Sequence, residues 1–513
     1  MKQGPFCVAF EESLRAETTE RSACACRANR TALRYTPDSY ATALRLKPRI
    51  AEDGGFYMAS IVLRNARLID GIADQPRDGV SIAVEGERIS AVSSAAIPTP
   101  GNATIVDLKG QTVLPGLIDT HVHTTLMDRE SLPLFLAAGV TTARDVGGKL
   151  EKVLQLRADL NEGAQLGPRL FVLGPLLDGT DQSLDGPFAE LLDSVPSVDA
   201  VPAKIGALLK AGVDGIKIYF SMPPDTVRAV IKFVDKRVPI TAHLGYTHSL
   251  DAIQAGIDGL EHVLISPYNE FCAVGMQFGL GASMLDPAFF PKLIKGWEEA
   301  DLKAEGARQW VDAMVDKQVH MGTTLDLLWL AKFGIEAARR DPDRKVIPPM
   351  ALARQQQMVA HLGKRPDWDI GNPVAETASG ARALEKHQVV TRTLHEAGGL
   401  VVGGTDCGGL SYPPPGFALL REIELLAEAI GSIAALKAVT ATAARYIRQE
   451  DNLGTIAPGL YADMLVVDGD PTRDVRELRK LKTVYRGGVA HDPQALLARV
   501  PQRALDQAAL MER

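Results

Sequence analysis

Two patterns of hydrophobic and polar residues follow one another along the chain. From 61 to 115, short apolar runs are separated by turn residues, and the runs 81–84 and 88–92 flank Glu85-Gly86-Glu87. This pattern predicts short β-strands and a hairpin. From about 117 to 450, short apolar runs alternate with helical patterns such as Pro224–Val234, which has proline in its first turn and apolar residues at helical spacing.

Eight of the apolar runs in the second region are candidate strands. Eight strands that alternate with helices are typical of a parallel α/β fold, the (β/α)8 TIM barrel. The candidate strands are 117–123, 140–145, 169–174, 215–220, 240–244, 259–263, 319–325 and 399–406.

The ends of the chain differ from this central region. The runs 462–467 and 481–485 are strand-like, and we expect them to pair with strands from 61–114 in a small β-sandwich domain built from both ends. Residues 1–57 have no clean period, so we expect a disordered extension and a natural start at Met58. The predicted organisation is extension 1–57, β domain 58–115 and 451–490, barrel 116–450, and helical tail 491–513.

Long connections interrupt the barrel after its sixth and seventh strands. They carry aromatic residues, including Trp297 in the first and Trp368 in the second. Long insertions at the catalytic face of a barrel act as lids or pocket walls, and we expect that role here.

Composition narrows the classes of partner. The chain has 56 Lys and Arg against 63 Asp and Glu, a net charge of −7, which disfavours nucleic acid and an anionic membrane surface. Five Cys are too few and too scattered for a disulfide framework, so we expect a cytoplasmic protein. We expect a small-molecule substrate and a homo-oligomer.

The most informative residues are four of the ten histidines and one aspartate. His121 and His123 lie two positions apart and therefore on one side of a strand, at its carboxyl end. His243, His262 and Asp406 end three other candidate strands, where a barrel meets its catalytic loops. The set predicts a divalent-metal site; the alternative is a group of hydrogen-bonded residues that cap strands.

Three further residues are candidates for the same site. Lys217 lies between two isoleucines on a strand that should be buried, where an ammonium group is costly without compensation. Tyr219 follows on the same side and either donates a hydrogen bond to a developing oxyanion or packs. His248 lies in the loop or first helical turn after His243, where it either contacts substrate or faces solvent.

The order of these features is similar to that of the amidohydrolase superfamily, especially its imidazolonepropionase-related and metal-dependent dipeptidase branch. The resemblance spans roughly 61–490. It includes Pro115-Gly116-Leu117-Ile118-Asp119 before the histidine pair, and the run 454–463 before the last strands. The sequence contains no His-Glu-x-x-His, Gly-x-Ser-x-Gly or phosphate-binding loop motif that would indicate another enzyme class.

The resemblance implies a site with two Zn²⁺ ions or similar divalent metals. His121, His123 and Asp406 would hold one metal, and His243 and His262 the other. Lys217, carboxylated by carbon dioxide to a carbamate, would bridge them. The alternative is an unmodified lysine paired with a carboxylate in a site that holds one metal.

The resemblance also implies a reaction. A metal-bound hydroxide would attack an amide-type C–N bond in a dipeptide or N-acyl amino acid, and Asp406 would move the proton to the leaving amine. The alternatives are a cyclic amidohydrolase of imidazolonepropionase type, an esterase or lactonase, and a non-catalytic scaffold. A dipeptidase needs a cation for the substrate carboxylate, and Arg144, Arg169 and Arg228 are the candidates.

Overall fold

A computed structural model provides the coordinates of the protein. The residues that it describes all belong to the unit Ala43–Arg513. The described residues are 49–50, 56–57, 60–98, 101, 103–181, 183–273, 275, 277–286, 288–329, 332–333, 340–343, 376–408 and 414–499. The predicted extension before residue 49 and the end of the predicted helical tail lie outside these residues, as does most of the insertion after the seventh strand, including Trp368. The short strands Arg49–Ile50 and Phe56–Tyr57 pair antiparallel.

Parallel strands form a TIM-barrel-like α/β fold. We number its eight strand positions β1 to β8 in chain order, with the third position interrupted at residues 173–175. The strands are Leu117–Val122 (β1), Val140–Asp145 (β2), Arg169–Val172 with Leu176–Asp178 (β3), Ile216–Ile218 (β4), Ile240–Ala242 (β5), Gly259–Glu261 (β6), His320–Gly322 (β7) and Leu400–Val402 (β8).

Each predicted barrel strand therefore has a counterpart in the structure. The first half of β3 pairs with β2, and its second half pairs with β4. The two ends of the barrel meet where Val122 and Cys407 form a parallel bridge and the Thr120 N–H lies 3.3 Å from the Gly403 carbonyl oxygen. This closure brings the residues that follow β1 and β8 side by side.

Helices surround the strands, and none in the described part of the chain is long and apolar enough to cross a membrane. The sequence accounts for Pro224–Val234 directly, because Pro224 opens it and Asp235 ends it with left-handed backbone geometry. The helices are Leu132–Ala137, Leu150–Asn161, Val201–Ala211, Pro224–Val234, Ser249–Ala255, Tyr268–Phe271, Phe289–Glu299, Glu305–Asp316, Glu376–Glu396, Phe417–Ile430, Ser432–Ala438, Ala441–Tyr446 and Pro493–Leu497.

Strands from both ends of the chain join one mixed sheet beside the barrel. Met464–Val467, from the carboxyl-terminal part, runs antiparallel to Thr112–Pro115, with Met464 opposite Pro115. The structure places these strands in a single sheet and does not confirm the predicted sandwich of two sheets. The strands of this sheet are Ser60–Leu68, Arg77–Glu85, Arg88–Ser93, Thr104–Asp107, Thr112–Pro115, Met464–Val467, Leu481–Arg486 and Val489–His491.

An ion pair joins this sheet to the barrel. Asp463, just before the strand Met464–Val467, accepts a hydrogen bond from Arg169 Nε at 2.9 Å and from the Gly487 N–H at 2.6 Å. The Arg169 guanidinium also lies 3.8 Å from the centre of the Tyr461 ring. Asp463 is 5% exposed, so these partners compensate the carboxylate for the water that it loses on burial.

We expect Asp463→Ala to lower the free energy of unfolding by about 3 kcal/mol, because it leaves a largely buried guanidinium without its carboxylate. Thermal and urea unfolding of the purified protein measure the change. Asp468→Ala is the matched control, since Asp468 pairs with Lys482 in an exposed ion pair at 3.6 Å and such pairs contribute little. Equal unfolding midpoints for the two variants would contradict a structural role for the Asp463 pair.

Candidate metal centre

Six side chains converge where the barrel strands end. His121 and His123 come from the end of β1, and Lys217 is the middle residue of β4. His243, His262 and Asp406 follow β5, β6 and β8. All six are buried, with exposed fractions between 0% and 9%.

His121, His123 and Asp406 form a possible divalent-metal site. Asp406 Oδ1 lies 3.0 Å from His123 Nε2 and 3.4 Å from His121 Nε2, and the potential ligand atoms of the three residues all lie within 4.8 Å of one another. Burial raises the pKa of the Asp406 carboxyl, but the two imidazoles outweigh burial and hold that pKa well below its usual range. The carboxylate is therefore ionised, as a metal ligand must be.

His243 and His262 lie beside this trio. The His262 ring centre is 4.6 Å from that of His121 and 4.8 Å from that of His243. Burial lowers the pKa of both His243 and His262 well below the usual value, with a further contribution from nearby positive charge, which includes Lys217. Both imidazoles are therefore neutral, which is the form that binds metals.

Hydrogen bonds fix the orientation of three of the imidazoles. His121 Nδ1 donates to Glu261 Oε2 at 2.9 Å, and His123 Nδ1 donates to the Gly147 carbonyl at 2.9 Å. His262 Nδ1 lies 2.8 Å from Thr324 Oγ1. With each Nδ1 bonded to the protein, the Nε2 atoms are the ones left for a ligand, which is the usual arrangement of histidines around a metal.

Three buried nitrogen atoms at this centre lack a hydrogen-bond partner among the described residues. They are His121 Nε2, His243 Nε2 and Lys217 Nζ. Burial lowers the pKa of Lys217 to about 8, although the Glu261 charge opposes the shift. Unpaired buried polar atoms each cost about 1–3 kcal/mol, so a cluster of three fits a centre that binds divalent metals through nitrogen and carboxylate ligands.

Glu261 connects this centre to the rest of the barrel. Besides His121, its carboxylate accepts hydrogen bonds from Arg144, from Thr241 at 2.6 Å and from Tyr446 at 2.8 Å. Burial raises its pKa, but the charges of Arg144 and His121 outweigh burial and lower that pKa well below the usual value. Sequence reasoning missed Glu261, although a glutamate just before His262 on a buried strand was a visible signal.

Two of the candidate metal ligands have an unusual backbone conformation that sets the direction of their side chains. His262 and Asp406 have φ values of 63° and 56°, in the left-handed region that is uncommon for residues other than glycine and concentrates at functional sites. At Gly147, a Cβ atom would lie 2.8 Å from the His123 ring. Glycine is therefore needed there to let the carbonyl approach this histidine.

None of the three arginine candidates for substrate recognition lines the cavity at the centre. Arg144 is 2% exposed, donates to Glu261 and packs 4.0 Å from the centre of the Tyr446 ring. Arg169 pairs with Asp463, and Arg228 pairs with Asp225 on the surface. Their charges are neutralised within the fold.

A cavity of about 110 Å³ opens beside the metal centre and includes Tyr219 in its lining. The Tyr219 ring centre lies 4.7 Å from that of His243. Burial and the Asp406 charge raise the pKa of Tyr219 well above its usual value, so its hydroxyl remains a hydrogen-bond donor. His248 does not line this cavity, because it lies at the amino-terminal cap of the helix Ser249–Ala255.

Comparisons with known proteins agree with this architecture. A model of the Amidohydrolase family matches residues 314–490. An uncharacterised protein of Mycobacterium tuberculosis (strain ATCC 25618 / H37Rv) is 29% identical over 219 residues, which cover 39% of this chain and 32% of that protein. A D-aminoacylase of Alcaligenes xylosoxydans xylosoxydans is 28% identical over 172 residues, 33% of this chain and 32% of that enzyme. The chain thus spans about a third of the length of these relatives.

A solved structure extends the likeness over most of the chain. The crystal structure of a putative prolidase from Bifidobacterium longum superposes with a TM-score of 0.61 at 22% identity, covering 88% of this chain and 100% of that one. At this identity the likeness concerns the fold. The family match over residues 314–490 and the shared fold support the predicted resemblance to the amidohydrolase superfamily.

Proposed function

We propose that this protein hydrolyses an amide-type C–N bond in a small molecule and uses two divalent metals, zinc or similar. The convergence of His121, His123 and Asp406 beside His243 and His262, at the mouth of a cavity, carries this proposal. The names of two similar proteins, a D-aminoacylase and a putative prolidase, support N-acyl amino acids and dipeptides as the first substrates to test.

The residues divide into ligands and groups that move or donate protons. His121, His123 and Asp406 would hold one metal, His243 and His262 the other, and Lys217, as its carbamate, would bridge the two. When bound, such metals polarise a carbonyl and lower the pKa of water to about 7. Lys217 suits carboxylation because a lowered pKa increases the fraction of neutral amine, the form that reacts with carbon dioxide.

Asp406 is the candidate acid–base group. Its carboxylate is ionised and 9% exposed, so it can accept a proton from the attacking water and deliver it to the leaving nitrogen. Tyr219 lines the same cavity with a protonated hydroxyl and would donate a hydrogen bond to the oxygen of the carbonyl as negative charge develops there.

We expect Asp406→Asn to fold normally and to lose about 10²-fold or more in kcat, the usual contribution of a general base. Steady-state kinetics on the best amide substrate give the rate, and circular dichroism with metal analysis reports fold and loading. Near-normal turnover would exclude Asp406 as the proton-transfer group.

We expect close to two metals per chain in the purified protein and at most one in Lys217→Ala, because the variant loses the bridging ligand. Elemental analysis alongside protein quantitation gives these ratios. Lys210→Ala, an exposed lysine on the helix Val201–Ala211, serves as the control and should keep the full content. One metal per wild-type chain together with an active Lys217→Ala would instead support a site with a single metal.

We expect Glu261→Gln to weaken metal binding by about 10–100-fold, because the amide no longer carries the charge that orients His121. Competition with a chelator measures the affinity. Glu270→Gln is the matched control, since Glu270 is also buried but accepts a hydrogen bond from the Leu250 N–H instead of from a ligand histidine. Equal metal affinities for the two variants would remove Glu261 from the support of the centre.

A further inference from the structure

The cavity beside the metal centre has apolar walls from two separate segments of chain. Leu184, Phe188 and Leu191 come from the segment that follows β3, and Met284, Leu285 and Phe290 from the insertion that follows β6. Leucine and isoleucine residues near the strand ends complete the apolar surface. A substrate group that enters here exchanges water for hydrocarbon.

Hydrogen bonds hold the first wall in place. Asp178, at the end of β3, accepts hydrogen bonds from the Ser183 N–H at 3.2 Å and from the Ser221 N–H and hydroxyl at 2.8 and 2.7 Å. The Ser194 hydroxyl donates to the Gly179 carbonyl at 2.8 Å. The chain on both sides of Leu184 and Phe188 is therefore fixed to the barrel.

Stacked aromatic rings support the second wall. Phe290 contacts the edge of Phe289 with 5.2 Å between ring centres, and Phe289 stacks on Phe278 at 4.5 Å. Phe278 stacks in turn on Tyr268, also at 4.5 Å. Because both walls rest on packed structure, the cavity is formed before a substrate arrives, which avoids an ordering cost on binding.

The volume limits the group that fits. The cavity measures about 110 Å³, whereas an engineered apolar cavity of about 150 Å³ binds benzene. A branched aliphatic chain or a single ring is therefore the largest group that this space takes, and the remainder of the substrate lies at the mouth.

Away from the metal centre, the described lining offers no cation to an anionic group. Outside the metal centre, the only charged residue among the described lining residues is Asp185, a carboxylate. A substrate carboxylate placed against these apolar walls would lose its hydration without gaining a cation from the walls.

Resting on the proposed function, we propose that this cavity receives an uncharged apolar group on one side of the scissile bond, a branched aliphatic chain or a single ring. Substrates whose corresponding group carries a carboxylate are poor. This assignment narrows the amide substrates to those with an uncharged hydrophobic acyl or amine part.

Two matched series of amides test the assignment on the metal-loaded protein. One series fixes the amine as an anilide and varies the acyl group through acetyl, isovaleryl, phenylacetyl and succinyl. The other series fixes the acyl group as acetyl and varies the amine through a small, a branched aliphatic, a single-ring and a carboxylate-bearing group. In at least one series, kcat/KM should rise tenfold or more from the smallest to the apolar members and fall for the carboxylate. A flat response in both series, or a carboxylate as the best member of both, would overturn the proposal.

A pair of leucine variants tests whether the cavity wall causes the preference for apolar substrates. Leu285→Ala, in the wall, should reduce the ratio of kcat/KM for the best apolar substrate over the acetyl compound by about tenfold. Leu280 lies in the same insertion but is 74% exposed and does not line the cavity, so Leu280→Ala should leave the ratio unchanged. Equal ratios for the two variants would count against the assigned wall.

Binding measurements separate this proposal from the proposed function. Calorimetry with 4-methylpentan-2-one and with levulinate, ketones that have no C–N bond to cleave, measures affinity without turnover. Tighter binding of 4-methylpentan-2-one that Leu285→Ala weakens, in a protein that cleaves no amide, would retain the cavity assignment and reject the hydrolysis. Amide hydrolysis with no difference in affinity between the two ketones would reject the assignment alone.

Discussion

The candidate metal centre is built around one buried, fully hydrogen-bonded group, the carboxylate of Glu261. It lies on β6 and is bonded to His121 of β1, Arg144 of β2 and Thr241 of β5, and to Tyr446 of a neighbouring helix. An ionised group with no exposed surface is costly unless it is fully paired, so the partners from β1, β2, β5 and the helix together compensate the burial of Glu261. The same pairing that satisfies Glu261 also sets the orientation of His121.

Two cationic side chains next to the centre, Arg144 and Lys217, differ in whether the fold pairs their charge. Arg144 would otherwise be a strong anion-binding group next to the centre, but its guanidinium is committed to Glu261, the Thr120 carbonyl and the Tyr446 ring. Lys217 has no hydrogen-bond partner among the described residues, and its buried ammonium form is disfavoured. The fold thus neutralises the charge of Arg144, whereas the Lys217 amine is left for a ligand or a covalent modification.

Much of this architecture follows from the sequence because the relevant physics is local. Each barrel strand could be predicted from a short apolar run, and two of the helix boundaries from proline and apolar spacing. The predicted strands run too long at β4 to β8, and after β6 and β8 the backbone leaves the sheet and turns into left-handed geometry at His262 and Asp406. That turn depends on hydrogen bonds to neighbouring strands, which no local pattern contains. The single mixed sheet could not be distinguished from a sandwich for the same reason.

The residues that sequence reasoning missed or misjudged share one property: their partners are distant in the chain. Arg144 is 117 positions from Glu261, and Arg169 is 294 from Asp463, so neither could be recognised as neutralised before the fold was known. His248 lies at the cap of the helix after β5, in the loop or first helical turn where the sequence placed it, and it does not line the cavity. The sequence gives the number of charged side chains, but only the fold determines which of them are left unpaired and can bind a substrate. Because the candidate arginines are paired inside the protein, the proposed apolar subsite would set specificity by hydrophobic fit rather than by ion pairing.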